Sequence, residues 1–168
     1  MTAIKHCETT ITTDRLLLVP LMASDAAAMF PILSDRQLYS FTGEDPPESE
    51  EALAARYRKL ESRESPDGSQ QWLNWIVRLE KSSEAIAYVQ ATVSASAAEL
   101  AWVVGSKWQG SGYASEAAAA LVKWLLANGV TAMRCCIHPD HIASQRVAVN
   151  AGFHKSSLVE DGEEVWLL

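Results

Sequence analysis

Residues 107–122 read KWQGSGYASEAAAALV, with two glycines one residue apart directly in front of a run of alanines. Alanine is the best helix former and glycine among the poorest, so the least helix-prone residues stand where a long helix must start. Such a start is tolerated where the backbone turns sharply or comes close to something. It also orders its surroundings. The apolar run AELAWVVGS (98–106) reads as a strand ending at Gly105, and the alanines open a helix to about Asn128, stopped by Gly129.

The rest of the chain alternates in the same way. RLLLVPL (15–21) reads as a strand stopped by Pro20, and SDAAAMFPILSD as a helix started at Ser24-Asp25 and bent or interrupted at Pro31. SFTGEDPPE (40–48) is a loop. SEEALAARYRKLESRE (49–64) carries acids first and bases later, which suits a helix dipole, with Leu53, Tyr57 and Leu60 at helical spacing. WLNWIVRLE (72–80) and EAIAYVQATVS (84–94) read as strands joined by a short turn. TAMRCCIH (131–138) is a strand cut off by Pro139, and IASQRVAVNAGF (142–153) a short helix ended by Gly152. HKSSLV and EEVWLL form a closing hairpin about EDG. The pattern predicts a mixed α/β (α+β) domain with one central sheet of six to seven strands and about four helices. A chain of 168 residues, 48% hydrophobic, suits a single domain over residues 1–168.

A net charge of −7 argues against nucleic acid and suits a cationic partner such as an amine. No run approaches the 18 apolar residues of a membrane span, and the opening MTAIKHCETTITTDR lacks an apolar signal core, so a cytoplasmic location is expected. Cys7, Cys135 and Cys136 make a poor disulfide framework and fit a reducing compartment.

Three phosphate-binding patterns compete for the glycine turn. The Walker loop needs Gly-Lys-Ser/Thr, which is missing, and the dinucleotide fingerprint needs a third glycine where Ser115 stands. The third, Gln/Arg-x-x-Gly-x-Gly/Ala, is met by Gln109, Gly112 and Ala114. A pyrophosphate can sit on the free N–H groups of a helix start when no side chains intervene. A plain glycine-rich strand-to-helix turn would read the same from this stretch alone.

A second segment, IHPDHIASQRVAVNAGF, adds to that reading. Together, TTDRLLLVPLMASDAAAMF, AELAWVVGSKWQGSGYASEAAAALVKW and IHPDHIASQRVAVNAGF resemble the GNAT superfamily of acetyl-coenzyme A-dependent N-acetyltransferases, and in particular its ribosomal-protein N-terminal acetyltransferase (RimJ/RimL-type) branch. The resemblance implies a GNAT-like domain in which two parallel central strands splay to admit the pantetheine arm. It implies that backbone groups of Trp102, Val103 and Val104 hold the arm, with the acetyl oxygen near Val104. Gln109, Gly110, Ser111, Gly112, Tyr113, Ala114 and Ser115 would hold the pyrophosphate, and His141 and Ser144 would face the thioester end. His141 departs from the asparagine usual there, and Ala148 stands where many members carry a tyrosine that protonates the leaving thiol.

Acetyl transfer needs a neutral amine. An α-amine of pKa near 7.8 is roughly one-seventh neutral at pH 7, a lysine amine about one part in 2,500. A weak base therefore serves the first. The resemblance makes Glu99 the candidate, relaying the proton through water; a strand-end carboxylate in solvent is the plainer reading. Ser144 is the candidate for a hydrogen bond to the departing sulfur, against a plain helix cap.

CCIHPDH gathers Cys136, His138 and His141, but zinc needs four placed ligands and no second cluster follows, so no metal is expected. Cys136 and His138 alternate on one strand face beside the expected cleft. Trp72 and Trp75 point to opposite faces of their strand, Trp108 flanks the loop, and Arg56, Arg58 and Lys59 read as a solvated helix face. The leading expectation is an acetyltransferase acting on a protein N-terminal or small cationic amine, with acetyl-coenzyme A as co-substrate and a homodimer as a possible assembly. A catalytically degenerate acyl-coenzyme A-binding module and a partner-binding protein that keeps only the fold are the rivals.

Overall fold

The computed structural model describes Ile4 and residues 8–168; Cys7 lies outside them. One eight-stranded sheet runs through the molecule in the order β1-β2-β3-β4-β5-β6-β8-β7. Its strands are β1 (Ile11–Thr12), β2 (Leu16–Pro20), β3 (Gln71–Leu79), β4 (Ala85–Ser94), β5 (Ala97–Val104), β6 (Ala132–Ile137), β7 (His154–Glu160) and β8 (Glu163–Leu167). The strand beyond the expected seven is the two-residue β1, too short for any periodicity to reveal. The helices are α1 (Ala26–Leu33), α2 (Glu50–Leu60), α3 (Tyr113–Ala127) and α4 (Ile142–Asn150).

Two departures from the sequence reading are local. Pro31 stays within α1, near its end, instead of interrupting it. Helix α2 is capped by Ser49, whose hydroxyl accepts from the Ala52 N–H at 3.1 Å, and stops at Leu60 rather than running to 64. Beyond it Arg63 takes a left-handed φ of 57°, which a continuing helix cannot hold. The closing hairpin turns through Asp161 and Gly162, both at positive φ, as a tight primed turn requires. That turn lets β8 slot between β6 and β7.

The alternation of β3 and β4 divides the sheet into two apolar faces. Leu73, Trp75, Val77, Val89, Leu100 and Val104 join the core beneath α3 and α4. Ile76, with Tyr88 and Val103 beside it, packs under α1 and α2. Trp75 is fully buried, edge-on to Trp124 at 5.1 Å, while Trp72 is half-buried on the other face. Every neighbouring pair of strands is antiparallel except β5 and β6. That parallel pair is joined only from Ala97–Glu99 to Ala132–Arg134, although β5 continues to Val104 and β6 to Ile137. The sheet therefore opens between them, and α3, which links them, starts at the open end.

Candidate active site

The mouth of the opening is bare main chain. The backbone N–H groups of Gly110, Ser111, Gly112, Tyr113, Ala114 and Ser115 donate to no protein atom among the described residues; Glu116 is the first to bond, to the Gly112 carbonyl at 3.1 Å. No side chain caps α3, whose N-cap is Gly112, so its first N–H groups are left for another partner. Gly110 and Gly112 hold φ of 78° and 80°, values that L side chains rarely adopt. A Cβ added at Gly110 meets nothing within 4 Å, whereas one at Gly105 would lie 2.7 Å from Ile32 and 2.8 Å from Trp108. Gly105 is thus demanded by packing, and Gly110 by a turn that faces open space. Donors aligned with the positive end of a helix dipole, unshielded by side chains, fit a diphosphate.

Arg15, at the start of β2, holds this loop from behind. Its Nη1 donates to the Ser111 carbonyl at 3.0 Å, its Nε to Glu116 Oε2 at 2.6 Å, and its guanidinium lies 4.6 Å over the Tyr113 ring. The Thr13 hydroxyl and the Arg15 backbone N–H donate to Glu116 Oε1 at 2.6 and 3.1 Å. Burial alone would raise the Glu116 pKa, but the hydrogen bonds from Thr13 and Arg15 bring it below its ordinary value. An anionic Glu116 in the first turn would repel a bound anion, and Arg15 offsets that charge. Sequence reasoning missed this clasp. The signal was present: an acid in the first turn of an anion-binding helix calls for a cation nearby. Two other loop side chains are engaged, since Ser115 Oγ accepts from Asn150 Nδ2 at 3.0 Å and Gln109 Nε2 donates to the Val104 carbonyl at 2.9 Å. Gln109 thus turns back along β5, away from the bare amides.

Along the opening, the ladder register sorts the backbone groups. Gly105 donates to Ile86 on β4, and alternation from that bond turns the main chain of Val103 toward β4 and that of Trp102 and Val104 toward the gap. Of the three expected arm contacts, two therefore face the opening. The Trp102 indole reaches α4, where its Nε1 donates to Ser144 Oγ at 3.1 Å. Ser144 keeps its own hydroxyl proton free to donate. His141, at the N-cap position of α4, makes no side-chain cap and stacks on Phe41 with centroids 4.6 Å apart. Burial and the nearby His138 lower its pKa, so its ring is neutral at pH 7. Ala148 is fully buried.

Glu99 lies where the β5–β6 pairing ends, its Oε2 accepting from Arg134 Nε at 2.7 Å, and lines an open groove of about 430 Å³ with Thr92 and Gln70. It is three residues, about 10 Å of strand, from Trp102. Arg134 also binds Glu160, and the paired carboxylates hold its pKa up. Burial and the Glu99 charge push the Cys136 thiol up, and burial pushes Cys135 up to about 12, so neither is a ready thiolate. Among the described residues, no group of three or more His, Cys, Asp or Glu side chains is placed to hold a metal ion, and no helix is long and apolar enough to cross a membrane.

On the α2 face of the sheet lies a cavity of about 230 Å³, lined by Tyr57, Asn74, Tyr88 and Gln90 with Glu44, Asp45 and Arg56 at its edge. Arg56 is exposed like Arg58 and Lys59 beside it, and it alone of the three also borders this cavity.

A sheet opened at one parallel pair, with an uncapped helix at its mouth, is the frame that the sequence resemblance implies for an acyltransferase. The acetyltransferase (GNAT) domain pattern matches residues 15–154, and the chain belongs to that family. A search of curated proteins returned no match. Solved structures similar to this one include a GNAT-family acetyltransferase from Bacillus anthracis, with a TM-score of 0.78 and 20% identity over 95% of this chain and 98% of that one. Mycobacterium smegmatis RimJ in complex with coenzyme A disulfide gives 0.76 and 19%, over 91% and 81%. The aminoglycoside acetyltransferase AAC(6')-Ib in complex with ribostamycin and coenzyme A gives 0.75 and 20%, over 92% of each chain. At these identities the likeness is one of fold.

Proposed function

We propose that this acyltransferase is a single-domain cytoplasmic enzyme over residues 1–168 that takes acetyl-coenzyme A and moves its acetyl group directly to a primary amine, either a protein N-terminus or a small cationic molecule. The observation that carries the reading is the row of unpaired N–H groups from Gly110 to Ser115 at the open end of the β5–β6 pair. Those amides hold the diphosphate, and the gap-facing main chain of Trp102 and Val104 aligns the arm. Acetyl-coenzyme A supplies an activated thioester. The amine nitrogen attacks its carbonyl carbon, the new C–N bond forms as the C–S bond breaks, the amine gives up a proton, and the sulfur leaves as a thiol.

Ser144 donates its hydroxyl to the departing sulfur, in the role for which Ala148 offers no side chain. Glu99 takes the amine proton through water, because it stands too far along β5 to touch the amine. Neither cysteine is activated, which supports transfer without a covalent enzyme intermediate. His141 contributes its ring to the Phe41 contact at the mouth.

The test is a panel of amines and peptides incubated with acetyl-coenzyme A, read by free thiol release and by acetyl mass gain on the acceptor. Transfer to some amine is the expected result. Coenzyme binding without transfer would mark a degenerate binding module. No thermal stabilisation, where a hundredfold excess over Kd should add about 2.7 kcal/mol, would leave only the fold. Ser144→Ala should lower turnover about tenfold, the value of a hydrogen bond to a charged group, with coenzyme Kd changed about twofold or less. Unchanged turnover would remove Ser144 from the mechanism.

A further inference from the structure

The cavity beside α2 holds polar groups that the protein itself does not satisfy. Tyr57 is 4% exposed, and its hydroxyl has no hydrogen-bond partner among the described residues. Asn74 is 7% exposed; its amide donates to the Trp72 carbonyl at 3.2 Å, and its Oδ1 accepts nothing. The side chains of Tyr88 and Gln90, both half-buried, line the cavity without a hydrogen bond among the described residues. Buried polar groups are nearly always paired, and leaving one unpaired is costly. Of this cavity's polar side chains, the Tyr57 hydroxyl is the one cut off from water and unpaired among the described residues, and a ligand that reached it would supply the missing partner.

The cavity is also in the right place. Tyr88 pairs with Val103 and Gln90 with Ala101 across β4 and β5, so all four share the α2 face. The floor thus lies one strand, about 4.8 Å, from the edge of the opening. Resting on the transferase reading above, we infer that this cavity seats the non-reacting body of the amine acceptor, and that this body is compact, uncharged and bears a hydroxyl or amide.

The chemistry of the floor sets the class. Two phenols and two carboxamides offer donors and acceptors but no charge. Burial pushes the Tyr57 pKa up and that of Tyr88 up to about 12, so both remain neutral donors. A charged group driven into this floor would lose its hydration without a counter-charge. Charge is kept at the edge, where Glu44 and Asp45 outnumber Arg56 and draw in a cationic amine. At about 230 Å³ the space falls below the ~300 Å³ at which pockets for drug-sized ligands begin. One amino-acid residue or one sugar ring fits; a multi-ring polyamine does not. The same chemistry is offered by a free small amine and by the first residue of a polypeptide.

Isosteric acceptors that differ only in the polar group test this. Wild-type enzyme should acetylate threonine amide with a kcat/KM about tenfold or more above valine amide, because a site built for a hydroxyl is left unpaired by its apolar twin. Tyr57→Phe should bring that ratio to within about twofold, mainly through the KM for threonine amide. Coenzyme Kd reports that the variant is folded; if it is not, Tyr88→Phe is read on the same ratio. A hexapeptide beginning with threonine separates the sources: a clear gain over threonine amide points to a polypeptide and parity to a free small amine, and either supports the inference. A wild-type ratio near one, or a ratio unmoved in the folded variants, overturns it while leaving the transferase intact. Acetylation of no amine at all brings down both.

Discussion

The proposed coenzyme end of the site is main chain from one continuous stretch, Gly110 to Ser115, whereas the cavity on the opposite sheet face is side chains gathered from α2, β3, β4 and the loop around Glu44. The first gives up donors that any diphosphate can use, and its only demand on sequence is that side chains stay out of the way. The second sets identity, because phenols and carboxamides at fixed places recognise one pattern of polar groups and reject its apolar copies. A transferase that takes one common donor and a particular acceptor needs both kinds of construction. Substitutions should therefore separate cleanly: those in the loop act on coenzyme affinity, those in the cavity on the choice of amine.

The largest effect expected is at the glycines. Gly112→Val forces a β-branched residue to φ of 80° with its Cβ 3.5 Å from Arg15 Nη2. Strain of roughly 1–3 kcal/mol, together with a side chain over the bare amides, should weaken coenzyme Kd about tenfold to a hundredfold by calorimetry. Selectivity between threonine and valine amides should persist at saturating coenzyme. Gly105→Ala should instead lower the melting temperature by about 4–10 °C, since its Cβ meets Ile32 and Trp108 at under 3 Å. If Gly112→Val moves Kd by less than twofold, the loop is an ordinary turn and the contrast collapses.

Arg15 tests whether the main-chain end depends on side chains behind it. Arg15→Ala removes the bonds to Ser111 and Glu116 and leaves an uncompensated carboxylate in the first turn of α3. Coenzyme Kd should rise about five- to twentyfold, the effect of losing a charge-assisted contact. Affinity for S-acetyl-pantetheine, which lacks the diphosphate, should change far less. An equal loss for both ligands would mean that Arg15 only supports the fold.

What the sequence revealed follows the same division. The strand, glycine turn and helix over 98–128 are legible because each depends on neighbours in the chain, and the hairpin about Asp161-Gly162 is legible for the same reason. Most of the strands were visible as apolar runs, while β1, two residues long, gave no period to read. Arg15 and Glu116 stand 101 residues apart, and no local pattern joins them. Tyr57 looked like one more apolar position on the buried face of α2. Only the packing of α2 against the sheet leaves its hydroxyl unpaired beside Asn74. Arg56 is exposed, as a solvated helix face predicts, but that its side chain also reaches the cavity edge depends on the loop around Glu44, which its position on α2 does not reveal.

The smallest effect sharpens the loop side through acid. The Glu116 pKa is held below its ordinary value near 4.5 by Thr13 and Arg15, although burial opposes the shift. A carboxyl whose folded pKa is depressed adds stability that is present in full above the unfolded value and is lost as pH falls through the folded value. The melting temperature of wild-type protein should therefore exceed that of Glu116→Gln at pH 6, by about 1–3 °C for a partly exposed pair of this kind, and the gap should close toward pH 3. Asp35, Asp67 and Glu160 also titrate low, but they are common to both proteins and cancel in the difference. A constant gap across that range would mean that the clasp holds the loop by shape rather than by charge, and Arg15→Gln, which keeps an uncharged donor on a shorter side chain, should then recover part of what Arg15→Ala loses.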